Sequence, residues 1–198
     1  MSEVCMCKLT CLERFQSSVC PRGFGGFRSG AVITGQGSFW GHVCTISCQD
    51  KTYLCISASD HSKQNLMQYF RDSIMFIHES RMKGEGCLVH CVAGVSRSVT
   101  LVVVYIMTVT GRGWVESLAA VRAARPCAGP NLGFLRQLEE FENTELTEYR
   151  AWWQDRYGDS SFSDDEEVGA LLTRKSNANA NGSALATSIT PSRATSGT

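Results

Sequence analysis

The sequence carries no net charge: 19 Lys and Arg balance 19 Asp and Glu over 198 residues. A general nucleic-acid binder shows a basic excess, so that class is disfavoured. The N-terminus, Met1–Phe15, lacks the basic-then-apolar pattern of a secretory signal. Long hydrophobic runs are also missing. The longest, Val99–Val109, is broken by Thr100, Tyr105 and Thr108, and falls well short of the ~20 apolar residues that a spanning helix needs. Position 2 is Ser2, so the Met-Gly start of an N-myristoylated chain is lacking and no membrane anchor is expected. There is no internal repeat. These absences predict a cytoplasmic protein, with the nucleus also open to it, whose thiols are mostly reduced.

What is present is a globular composition, 43% hydrophobic and 19% charged, in a length that suits one domain plus some excess. Composition divides the chain. Met1–Cys20 is cysteine-rich with no visible periodicity. Arg22–Gly41 holds seven glycines in twenty residues, which disfavours a helix or strand interior. The periodic pattern lies in residues 50–157. From Gly158 onward a disordered tail is expected, opening with the acidic run Asp164–Glu167 and carrying no aromatic after Phe162.

Within residues 50–157 apolar strands alternate with helical periods. Thr52–Ser57 and Cys87–His90 read as buried strands. Asn65–Arg81 reads as a helix, with Leu66, Phe70, Ile74 and Ile77 on one face and Gly84 as its stop. Arg97–Thr110 is an apolar helix ended by Gly111. Trp114–Ala124 is another, closed by Arg125-Pro126. Asn131–Tyr157 is one long helix. This alternation predicts an α/β fold with a central parallel-rich sheet flanked by helices. In such folds ligands sit where strands end and helices begin.

One such junction reads His90-Cys91-Val92-Ala93-Gly94-Val95-Ser96-Arg97-Ser98. A cysteine that ends a strand before a tight loop and a helix receives successive backbone N–H groups and the positive end of the helix dipole. Both favour a thiolate. The same amides, from Val92, Ala93, Gly94, Val95, Ser96 and Arg97, would cradle a phosphate dianion. Gly94 supplies backbone freedom. The Arg97 guanidinium would close the ring with a two-pronged contact. The Ser98 hydroxyl would help the thiolate depart later, and His90 would orient the loop. A bare Cys-x5-Arg is expected roughly 0.7 times by chance in a chain this rich in cysteine. The flanking His, Gly and Ser make the full pattern far rarer, and only Cys91 has an arginine six residues later.

This segment resembles the signature of protein tyrosine phosphatases, and its Ala-Gly-x-Ser-Arg-Ser form is similar to the dual-specificity branch. CLVHCVAGVSRSVTLVVVYIMTVTGRGW, VRAARPCAGPNLGFLRQLEEFE and YLCISASDHSKQN extend the resemblance, to the small atypical members, over about Thr52–Tyr157. The resemblance implies a protein phosphatase acting on phosphotyrosine, and on phosphoserine or phosphothreonine, through a phosphocysteine at Cys91. It implies phosphoprotein substrates in MAP kinase signalling and no metal or cofactor. Asp60, 31 residues before the nucleophile, aligns with the family's general acid. Asn131, in Pro-Asn-x-Gly-Phe, is either a brace for the phosphate loop or a helix N-cap.

Residues 1–49 lack the family's opening strand, helix and second strand; only His42–Ile46 reads as a short strand. The expected domain is therefore incomplete at its N-terminus. A second reading follows, a phosphate-loop binding module with weak or no turnover. Cys5, Cys7, Cys11 and Cys20 depart from paired zinc spacing and read as unstructured thiols. Arg22–Arg28 reads as a linker rather than an RNA-binding segment. Cys87 is either an inward-facing strand residue or a disulfide trap for oxidised Cys91. Trp152 and Trp153 read as packing anchors with at least one partly exposed, and Asp164–Glu167 as a solvated run.

Overall fold

The computed structural model describes residues 3–9, 31–34, 52–158 and 162–174 of the chain. Four strands, β1 (Glu3–Leu9), β2 (Ala31–Thr34), β3 (Tyr53–Ser57) and β4 (Gly86–His90), form one sheet in the order β2-β4-β1-β3. Five helices follow the chain: α1 (Phe70–Met82), entered through a 3-10 turn at Met67–Tyr69, α2 (Arg97–Thr110), α3 (Trp114–Ala124), α4 (Leu132–Thr144) and α5 (Leu146–Tyr157). A sixth, α6, covers residues 164–174.

The α/β class is as expected. The N-terminus is not: two strands come from the region read as lacking them. β1 lies in the sheet interior, antiparallel to both β3 and β4, while β2 runs parallel to β4. β3 and β4, joined through α1, run the same way and leave one strand's width between them. β1 fills that gap in the opposite sense. The sheet is thus mixed, with two antiparallel ladders and one parallel ladder among the described residues, rather than parallel-rich. Val4 and Met6 explain the insertion. Both are fully buried on the face that also buries Ile56 and Val89, an alternation of period two that the surrounding cysteines obscured. Cys5 and Cys7 lie in β1 rather than being unstructured thiols, and Cys5 is buried there. β2 falls on the one glycine-free tetrad of the glycine-rich stretch. The strand read at His42–Ile46, the thiols Cys11 and Cys20, and the linker Arg22–Arg28 lie outside the described residues.

α2 is the fold's axis. Every residue from Arg97 to Thr108 is buried, as expected of a helix that is apolar all round and enclosed by neighbours. It ends at Gly111, whose φ of 77° is the left-handed cap that donates its N–H to Met107 O at 2.8 Å. Phe70 and Ile74 of α1, Phe134 and Leu138 of α4, and Met6 and Val89 of the sheet belong to the same core.

The long helix read over Asn131–Tyr157 is two helices meeting at Glu145, whose φ of −118° departs from the usual helical value near −63°. Asn143 and Thr144 send their side chains back to Glu139 O and Glu140 O, each at 2.8 Å, a local competition that bends helices. Phe141 and Tyr149 then meet edge to face across the joint at 5.0 Å. Trp153 is buried, and Trp152 is partly exposed under the Arg71 guanidinium, 4.4 Å from its ring centre.

The chain does not become a solvated tail at Gly158. Asp164 is buried and receives both Arg81 terminal nitrogens, Nη2 at 2.6 Å and Nη1 at 3.0 Å. Arg112 Nε binds Asp165 at 2.7 Å. Phe162 lies over the Arg81 guanidinium at 4.3 Å, and Val168 is fully buried. Acidic side chains at the N-terminus of α6 also suit its dipole. The acidic run is therefore an anchoring element at its first two positions. Beneath it, His78 is enclosed by Trp153, Tyr157 and Phe162, with its Nδ1 3.2 Å from Tyr105 Oη. Burial, then the nearby Arg81 charge, pushes its pKa down to about 4.

No single helix among the described residues is long and apolar enough to cross a membrane.

Candidate active site

β4 ends at His90 and α2 begins at Arg97, and residues 91–96 turn tightly between them. The turn is held from outside. Arg125 Nε donates to Gly94 O at 2.9 Å, and Gly129 N donates to Val95 O at 2.9 Å. Because a trans peptide points its C=O and N–H in opposite directions, drawing these carbonyls outward turns the amides that follow them toward the loop centre. Gly94 has φ 62°, the left-handed region, which a side chain resists.

Cys91 lies at the bottom, nearly buried. Its Sγ is 3.3 Å from the fully buried Ser98 Oγ. Burial pushes the thiol pKa up. The Ser98 hydroxyl, the backbone of Ser98 and Gly94 and the Arg97 charge together outweigh it, and the net shift is below the ordinary thiol value. Arg97 is also buried, its Nη1 donating to Ala58 O at 3.0 Å. His90 is half-buried with its pKa lowered by that burial, and it hydrogen-bonds the Cys91 backbone. Val92 is 74% exposed on the rim, with Ala93 also exposed and Val95 half-buried.

Asp60 comes to this loop from the turn after β3. Its Oδ1 accepts from Ser96 Oγ at 2.8 Å and from Asn131 Nδ2 at 2.8 Å, and its Oδ2 is 3.6 Å from Arg97 Nε. The Ser96 side chain therefore faces the carboxylate, leaving only its backbone for the loop centre. Asn131 takes part at three points: its N–H donates to Ser96 Oγ at 3.2 Å, its amide holds Asp60, and its Oδ1 caps α4 by accepting from Phe134 N at 3.1 Å.

Cys91, Arg97, Ser98, Asp60, His90 and Asn131 are thus brought together. Cys87 is not. It is fully buried in β4, facing the core, and four residues of extended chain set it about 13 Å from Cys91, beyond the ~7 Å that a disulfide spans. It is the inward-facing strand residue and not a disulfide partner for Cys91.

Sequence reading missed the supports of the Asp60 turn. Gln137 Oε1 accepts from Leu66 N at 2.7 Å while its Nε2 donates to Gln64 O at 2.7 Å. Gln64 Oε1 in turn accepts from Ser59 N at 3.1 Å and Ser59 Oγ at 3.2 Å. Gly133 lets α4 come against this turn, since any Cβ there would run into the Ser62 backbone. The glycine was visible in Pro-Asn-x-Gly-Phe; nothing local marked Gln137, which acts across more than 70 residues. Among the described residues no group of His, Cys, Asp or Glu is arranged to hold a metal ion.

The chain is similar to known proteins. Residues 39–144 match the family model described as dual specificity phosphatase, catalytic domain. Dual specificity protein phosphatase 22-B of Danio rerio is 62% identical over 128 residues, covering 65% of this chain and 70% of that one. Dual specificity protein phosphatase 15 of Mus musculus is 48% identical over 124 residues, covering 63% of this chain but 53% of that one. A crystal structure of DUSP15 aligns with 52% of this chain and 65% of its own at 45% identity, with a TM-score of 0.49. The matched span takes in the loop, Asp60 and Asn131, and by it this chain belongs to the dual specificity phosphatase family.

Proposed function

We propose that this chain hydrolyses phosphotyrosine, and also phosphoserine and phosphothreonine, in proteins by two displacements at one cysteine. The observation that carries the reading is the Cys91 thiol at the base of the turn, 3.3 Å from Ser98 Oγ with its pKa shifted downward, and Asp60 tied to that same turn through Ser96. In the first step Cys91 Sγ attacks phosphorus. The S–P bond forms as the P–O bond to the protein side chain breaks. The loop amides and Arg97 hold the equatorial oxygens, where charge gathers. Asp60 Oδ1 already accepts two hydrogen bonds, so Oδ2 carries the proton given to the leaving oxygen. In the second step Asp60 takes a proton from water as the water oxygen attacks phosphorus. The thiolate leaves, steadied by Ser98, and inorganic phosphate is released.

The apolar rim of Val92, Ala93 and Val95 favours protein over phosphoinositide substrates, since it brings no lysine to a lipid headgroup. The family resemblance supports a substrate set within stress-activated MAP kinase signalling, in the cytoplasm or nucleus. The second reading, a binding module without turnover, rested on missing N-terminal strands; β1 and β2 remove its main support.

The test is hydrolysis of an aryl phosphate by the purified chain, with Cys91→Ser as control and a circular dichroism melt on both. Turnover that vanishes in Cys91→Ser is expected. A folded wild-type sample with no Cys91-dependent turnover overturns the enzyme reading and leaves the binding module.

A further inference from the structure

We propose that Cys5 and Cys55 form a peroxide-responsive thiol pair that closes to a cross-strand disulfide and staples β1 into the sheet. The two residues are register partners in the antiparallel β1–β3 ladder, and their sulfurs are 3.4 Å apart. Directly opposed residues of such a ladder have Cβ atoms about 4.5–5.5 Å apart, near the ~3.5–4.5 Å of a disulfide. Side-chain rotation and a small approach of the strands therefore bring sulfur to the bonding distance of about 2.05 Å. Among the cysteines whose side chains are described, this pair differs from the others. Cys87 faces the core, Cys91 lies in the phosphate loop, and exposed Cys127 stands just before the loop's outer brace at Gly129.

The pair has the asymmetry that oxidation by a peroxide requires. Cys55 is exposed and Cys5 is buried beside it. Peroxide transfers one oxygen to the Cys55 thiol, giving a sulfenic acid and water. The Cys5 sulfur then attacks the Cys55 sulfur, the S–O bond breaks, and hydroxide leaves with the Cys5 proton as a second water. Two thiols and one peroxide become one disulfide and two waters. A thiol reductant reverses the bond, and in a reducing compartment such bonds are transient and signal redox state.

The location gives the bond its consequence. β1 is separated from β3 by more than forty residues and fills the slot between β3 and β4. Cys5 is also the register partner of His90, the residue before Cys91. The bond would close a loop of about fifty residues and restrict the unfolded chain accordingly. It would therefore hold the strand that flanks the phosphate loop, without consuming the thiol in that loop.

The experiment treats the reduced full-length chain with hydrogen peroxide, blocks remaining thiols by alkylation and maps linkages by mass spectrometry of a non-reduced digest. A linked peptide pair containing Cys5 and Cys55 is expected, lost on reduction, retained in Cys91→Ser, and absent in Cys55→Ser. The melting temperature should rise by about 5–10 °C on oxidation of the wild type and not of Cys55→Ser. Recovery of Cys55 as a free thiol or as a sulfinic acid with no link to Cys5, or a link from Cys55 to another cysteine in the folded chain, overturns the proposal. The linkage map is read on the wild type, so it stands whether or not the variants fold, and it is independent of phosphatase activity.

Discussion

Asn131 donates a hydrogen bond from Nδ2 to Asp60 Oδ1 at 2.8 Å, although the two residues lie 71 positions apart. The same side chain caps α4, so the start of that helix and the carboxyl group are placed by one residue. Asp60→Ala should lower turnover of a phosphotyrosine peptide about 10²–10⁴-fold while barely slowing an aryl phosphate whose leaving group needs no proton. Asn131→Ala should show the same leaving-group dependence in weaker form and lose about 1 kcal/mol of stability with the cap. Equal losses on both substrates would sink the acid assignment. Steady-state kinetics on the two substrates, beside a denaturant titration, provides the check.

Gln137 acts one step further out. It grips the Asp60 turn at Gln64 and Leu66, and Gln64 then holds Ser59, the neighbour of Asp60. Gln137→Ala should therefore reduce kcat for phosphotyrosine about tenfold with little change in KM, and leave the aryl phosphate rate nearly intact. A merely structural role would lower both rates together. The kcat-against-KM split on the two substrates separates the outcomes.

How far the sequence revealed these features follows the range of the interactions. Arg97–Thr110 and Trp114–Ala124 were legible to the residue, because an apolar period bounded by glycine or proline is a local signal. The Cys91 loop was legible because its chemistry is confined to nine consecutive residues. β1 was hidden, since its inward residues Val4 and Met6 alternate with cysteines, which read as a metal or thiol cluster as readily as a strand. The tail was misread for a related reason. Its anchors are ion pairs over long separations, Arg81 with Asp164 and Arg112 with Asp165, 83 and 53 residues apart, which composition does not show.

Ser98 leads the interactions that lower the Cys91 pKa against its burial. Ser98→Ala removes them in part, so the thiol pKa rises. Since the thiolate is the reactive form, the acid limb of the kcat/KM profile should move to higher pH. At neutral pH kcat should also fall, because the departing thiolate loses its partner in the second step. A pH–rate profile with burst kinetics measures both effects; an unmoved acid limb would show that Ser98 does not set the thiol pKa.

His78 is fully buried with its pKa pushed down to about 4. Between that value and the ordinary histidine value near 6.5 the unfolded chain binds more protons than the folded one, so stability rises with pH in this window. Acidification from pH 7 to 4.5 should remove of order 2 kcal/mol through this residue. Arg81, Glu79 and Asp164 contribute to the surrounding field, so the wild-type loss is compared with that of His78→Phe. The variant should show a smaller loss over the same window, by chemical denaturation at each pH.

Asp164 neutralises a buried arginine, and this determines how the C-terminal segment can be perturbed. The side chains of Arg81 and Asp164 are only 1% and 4% exposed. Asp164→Ala leaves the Arg81 charge enclosed without its carboxylate and should cost about 3–5 kcal/mol. Replacing both, as Arg81→Met with Asp164→Leu, removes the charge with its partner and should recover most of that loss. Ending the chain at Tyr157 should destabilise the fold in the same way as Asp164→Ala, because it uncovers Arg81, removes Phe162 from beside His78 and takes Val168 out of the core. Thermal melts of the three forms decide it. If the truncated chain melts with the wild type, residues 162–174 are not part of the folded unit.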